Sequence, residues 1–130
     1  MLQHKSQVLL LSVPLMEIKR PAPAIYHLKG QLIAGDVSCT AIDANILLYN
    51  AVGPEAWGKV QNGLNFEAEL KSVPLDVIKI LETDLVDIIK TQIEQVDPDW
   101  IGISVFSVNS RIATTIILQN IRRVFPDKKI

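Results

Sequence analysis

The sequence predicts a three-layer α/β domain built on a parallel sheet. Two observations carry this prediction. Residues 8–14 (VLLLSVP) and 100–106 (WIGISVF) are short, continuous apolar runs without polar alternation, as expected of strands buried on both faces. Residues 76–95 and 111–124 instead repeat their apolar side chains at helical spacing. Composition agrees: 48% of residues are hydrophobic but only 5% aromatic, so aliphatic side chains build the interior.

At 130 residues the chain forms one domain, residues 1–130, large enough to bury a core without disulfides or metals. A net charge of −1 gives no electrostatic footprint for nucleic acid or for an anionic membrane surface. The single cysteine, Cys39, excludes an internal disulfide framework and any cysteine-rich metal site. It fits a reducing compartment, so a cytoplasmic location is expected. Residues 8–15 have the length of a signal core, but Glu17, Lys19 and Arg20 follow with no small-residue cleavage site. No apolar run is long enough to span a bilayer.

In chain order, residues 8–14 form the first strand, stopped by Pro14. The loop 15–23 ends in Pro21-Ala-Pro23, which presets a helix. That helix turns Ile25, Leu28, Leu32 and Ile33 inward, packs Gly30 closely on the sheet and ends at Gly35 as a C-cap. Residues 37–43 form the second strand, completing a right-handed βαβ unit. A short helix is expected over 45–50. The following 51–74 carry the turn signals Gly53-Pro54, Asn62-Gly63 and Pro74 and read as an irregular crossover, with helical pieces near Trp57 and Phe66. Trp57 is expected to anchor this segment to the core.

Residues 76–95 form a helix with Val77, Ile80, Leu81, Leu85, Ile88, Ile89 and Ile93 on its apolar face. Thr83 or Asp84 is placed to cap a break within it, and Asp97-Pro98-Asp99 ends it. The third strand, 100–106, then runs through Ser107-Val-Asn-Ser110 into the helix 111–124, with Ile112, Ile116, Ile117, Ile121 and Val124 inward. Phe125-Pro126-Asp127 terminates that helix. Residues 128–130 read as the start of a fourth strand, so the sheet order second, first, third, fourth is expected and the chain reads as truncated there.

Most chemistry-bearing patterns are absent. His4 and His27 lack a second ligand at i+4, Ser104 and Ser107 have no G-x-S-x-G elbow, and no P-loop pattern occurs. Asp43, at the end of the second strand, occupies the place where dinucleotide folds bind a ribose hydroxyl, but no glycine fingerprint follows the first strand. The acids Glu82, Asp84 and Asp87 and the bases Arg122 and Arg123 read as solvated helix faces. What remains is a set of small polar residues at strand ends: Ser12, Ser104, Ser107, Asn109 and Ser110. In open parallel sheets ligands bind outside the carboxyl ends of the strands. Ser107, Asn109 or Ser110 equally suits the N-cap of the last helix.

Taken together, residues 8–14, the proline-led helix ending Leu32-Ile-Ala-Gly35, Ile42-Asp-Ala-Asn45 and Pro98-Asp-Trp-Ile-Gly-Ile-Ser104 resemble the N-terminal cobalamin-binding-type domain of radical S-adenosylmethionine enzymes. The resemblance covers most of the chain and is weakest over 51–75. It implies a Rossmann-like fold with cobalamin across the carboxyl edge of the sheet. It also implies cofactor contacts from Ser12, Val13 and Pro14 after the first strand and from Ser104, Val105, Phe106 and Ser107 after the third. The expected partner is a radical domain following in cis, whose C-x-x-x-C-x-x-C motif holds an iron–sulfur cluster that cleaves S-adenosylmethionine. Those cysteines are missing here, so the chain by itself is not expected to be catalytic. The D-x-H-x-x-G motif of cobalt-ligating carriers is also missing: His27-Leu-Lys-Gly30 matches its second half, but Ile25 stands where the aspartate belongs. A second expectation is a non-catalytic interaction module that binds no cofactor, with an exposed apolar sheet edge at the third strand. A third is a nucleotide-binding domain using Asp43. Nucleic acid and membrane are not expected as partners.

Overall fold

The computed structural model describes residues 6–15, 18, 23–64, 72–105 and 108–130. The central strand β1 (Val8–Ser12) pairs in parallel with β2 (Cys39–Asp43) on one side and with β3 (Trp100–Ser104) on the other. The order β2-β1-β3 is the one expected. The strands are shorter than the apolar runs, for local reasons. Pro14 has no N–H to donate to a ladder. The Val37 amide instead closes the preceding helix by bonding the Leu32 carbonyl at 2.9 Å, so β2 starts at Cys39.

Side chains alternate across the sheet. Leu9, Leu11 and Ile101 enter a large core on one face, whereas Leu10 and Cys39 join Ile25 in a small cluster on the other. The small cluster lies under α1 (Pro23–Ala34), which rests on β1 and β2. Here the expected inward face is corrected. Ile25 is buried and Leu32 partly so, but Leu28 is 44% and Ile33 51% exposed. One helix covers this face among the described residues, and no neighbouring helix closes over its flanks. Gly30 does not pack on the sheet: it is exposed, and a Cβ there would meet nothing within 4 Å. The left-handed residue that ends the helix is Asp36 (φ 63°) rather than Gly35.

The opposite face carries the rest. α2 (Ala44–Leu64) replaces the short helix and the first part of the irregular crossover expected from sequence. The turn signals act inside it: Gly53 adopts φ 86°, a region open to glycine, and Pro54 restarts the helix in its first turn, where a missing N–H costs nothing. Trp57 is buried and meets Tyr49 edge to face, with ring centroids 6.3 Å apart, so it anchors the segment as expected. The piece expected near Phe66 lies outside the described residues.

α3 (Leu75–Ile80) and α4 (Val86–Val96) are joined without a break by a π turn, Leu81–Leu85. No cap forms at Thr83, whose hydroxyl donates back to the Lys79 carbonyl at 2.5 Å. Leu81 and Leu85, at the two ends of the turn, are both fully buried. Asp97, left-handed at φ 47°, ends α4. α5 (Arg111–Val124) has the boundaries read from sequence and buries Ile112, Ile116, Ile117 and Ile121. Val124 is 41% exposed, because the last turn runs past the edge of the core.

After α5 the chain returns to the free edge of β3. Lys129 pairs in parallel with Trp100: its carbonyl accepts from the Ile101 amide at 2.7 Å, and its own amide donates to the Asp99 carbonyl at 3.1 Å. The pairing expected of a fourth strand therefore begins where the sequence places it. Lys128 Nζ reaches Asp97 Oδ1 at 2.5 Å.

Candidate functional site

The carboxyl edge of the sheet gathers a row of polar residues. Register places Asp43 opposite Ser12 and Ser12 opposite Ser104. Strand spacing makes the row about 10 Å long. Alternation puts all three on the face that carries α1, in line with Leu10 and Gly102 one step back along the strands. At Gly102 this face is filled from β1. A Cβ there would stand 2.7 Å from Leu10 Cδ2, so the leucine lies across the position a side chain would take.

The row grades from closed to open. Asp43 is 6% exposed, Ser12 fully buried and Ser104 partly exposed. Asp43 Oδ1 accepts from both the backbone N–H and the side-chain Nδ2 of Asn45, each at 3.0 Å, which caps the start of α2. Its Oδ2 is buried without a hydrogen-bond partner, an acceptor left unsatisfied. Asn45 is itself fully buried. Its part in fixing the carboxylate was missed from sequence, although the D-x-N spacing of Asp43 and Asn45 is the signal of such a turn.

The other residues singled out from sequence are spread around this row. Val13 turns to the opposite face and joins the large core. Pro14 is buried beside it in the chain. Val105 is 53% exposed just past Ser104 and is the most open of the group. Phe106 and Ser107 lie outside the described residues. Ser110 occupies the N-cap of α5 but makes no side-chain cap bond, and its buried hydroxyl has no partner. The structure thus brings Ser12, Ser104 and Val105 to one edge and leaves Val13 and Pro14 to shape it from within.

Elsewhere, His27 is exposed on α1 and its ring Nε2 lies 3.2 Å from Gln31 Nε2, one turn on. Burial pushes the Cys39 thiol pKa up, with Lys29 pulling it the other way. Among the described residues no group of three His, Cys, Asp or Glu is placed to hold a metal ion, and no helix is long and apolar enough to cross a membrane. No protein-family model, curated protein or solved structure matches the chain.

Proposed function

We propose that this chain is the cobalamin-binding-type domain of a cytoplasmic radical S-adenosylmethionine enzyme, a binding unit rather than a catalyst. The observation that carries the reading is the row of Asp43, Ser12 and Ser104 along the carboxyl edge of a parallel β2-β1-β3 sheet. The residues fit a large, amide-bearing ligand in two respects. Ser104 and Val105 are open to solvent at the end of the row, and Asp43 Oδ2 is a buried acceptor without a donor. Ser104 and Val105, with Ser12 buried behind them, would hold the cofactor, which in such enzymes supplies methyl-transfer chemistry. Cluster and S-adenosylmethionine belong to a domain following in cis. The test is titration of the purified chain with hydroxocobalamin. Co-elution on gel filtration with a shift of the visible bands is expected. No uptake at high micromolar cofactor removes cobalamin from the reading while leaving the fold intact.

A second reading is favoured by a different observation. Trp100 on β3, Val105 just past the strand, and Tyr26, Leu28 and Ile33 on α1 are all more than two-fifths exposed. Large apolar surface beside an open strand edge suits an interaction module that packs on a partner and binds no cofactor. Concentration-dependent self-association in light scattering, together with no cobalamin uptake, would favour this reading.

A further inference from the structure

The π turn does more than keep two leucines in phase. Its outer residues Glu82, Thr83 and Asp84 are all exposed on the solvent side. Glu82 and Thr83 form one wall of a half-enclosed cleft of about 410 Å³, and Gln119, Asn120 and Arg123 of α5 form the other. The cleft lies in the helical layer opposite α1, toward the C-terminal end of α5, away from the row of polar residues at the sheet edge.

Its α5 wall is held in place. Asn120 Nδ2 donates to the Ile116 carbonyl at 2.8 Å, and Asn120 Oδ1 accepts from Arg123 Nη2 at 2.7 Å. This short chain of bonds fixes the guanidinium over the cleft and engages one of its five N–H donors. Glu82 lines the same cleft, yet the two opposite charges form no ion pair with each other among the described residues. A lone anion would meet Arg123 but also Glu82, and a lone cation the reverse. A ligand carrying both signs meets both walls favourably.

We propose that this cleft binds a small zwitterion of the α-amino-acid type, its carboxylate on Arg123 and its ammonium on Glu82. The volume suits a small molecule. Solvent-exposed charges make weak contacts, so the dissociation constant falls between about 0.1 and 10 mM.

The test is an amide NMR titration of the chain with L-glutamine, N-acetyl-L-glutamine and L-glutaminamide. L-Glutamine is expected to move the amides of residues 82–84 and 119–123, while each blocked form, lacking one charge, binds about two- to fivefold more weakly. Glu82→Gln and Arg123→Gln, both at exposed positions, are expected to weaken L-glutamine binding by about the same factor and leave the amides of β1 unmoved. Equal binding of a blocked form overturns the proposal, as does no movement at roughly 20 mM L-glutamine. So does wild-type affinity in both variants.

Discussion

Single residues show which of the sequence signals carry structural weight. Gly30 and Gly63 both lie inside helices of the structure, but they differ in surroundings. A methyl at Gly30 meets open space, so Gly30→Ala gains helix propensity and is expected to raise stability by about 0.5–1 kcal/mol. At Gly63 the same methyl would stand 3.0 Å from Val77 Cγ2, on a buried, branched side chain with little freedom to turn. Overpacking of that kind costs about 1–3 kcal/mol and outweighs the propensity gain, so Gly63→Ala should lower the urea midpoint that Gly30→Ala raises. Cys39 sets an alkaline limit. The folded chain holds the thiol proton more tightly than the unfolded chain, because burial penalises the thiolate more than Lys29 favours it. Its contribution to stability is complete below the ordinary thiol value of 9.0 and is lost as pH rises through the higher folded value. Urea midpoints of the wild type should therefore fall above pH 9 more steeply than those of Cys39→Ala. None of this was visible in the sequence: a glycine's neighbours and a thiol's burial are set by residues far away in the chain.

Elements were legible to the extent that their own residues decide them. α5, apart from its last inward position Val124, matched its expected boundaries and its unbroken stripe of isoleucines. α2 did not, since the glycines and Pro54 that usually end helices are here absorbed by a kink at Gly53. The π turn escaped notice for a related reason: Leu81 and Leu85 keep an apolar spacing that an ordinary helix also tolerates. At the free edge of β3, alternation of the backbone groups turns Ile101 and Ile103 away from β1. The Ile101 amide is bonded to Lys129, whereas residues 128–130 do not reach Ile103. Slow exchange is expected at Ile101 and fast exchange at Ile103 in a native-state hydrogen-exchange experiment. Deleting residues 128–130 should bring Ile101 to the faster rate while the amides of β1 stay protected.

For the molecule as a whole, the sheet order followed from the sequence because parallel strands joined by helices admit few connections. The uneven layering did not. Among the described residues, α2 to α5 crowd one face and α1 stands alone on the other, so an apolar helix that reads as core in the sequence shows both flanks to solvent. The candidate site was legible as a position, the carboxyl edge, and less so in its members. Ser12 and Ser104 come together through register with β1, whereas Val13, one residue further on, points the opposite way because strand side chains alternate. Gly102 was missed because its role depends on Leu10 across the sheet, whereas Asn45, two residues after Asp43, carried a local signal in the D-x-N spacing.

The same asymmetry gives the protein a built-in optical reporter. It has two tryptophans, Trp57 at 3% exposure inside the helical layer and Trp100 at 51% on the rim of the sheet, with the Lys129 ammonium 5.0 Å from the ring centroid. In a Trp57→Phe background all indole emission comes from that rim. Iodide, drawn in by the neighbouring ammonium, would quench it freely while the edge is bare and lose access once anything settles there. The emission of one side chain thus reports directly on whether the sheet has found its neighbour.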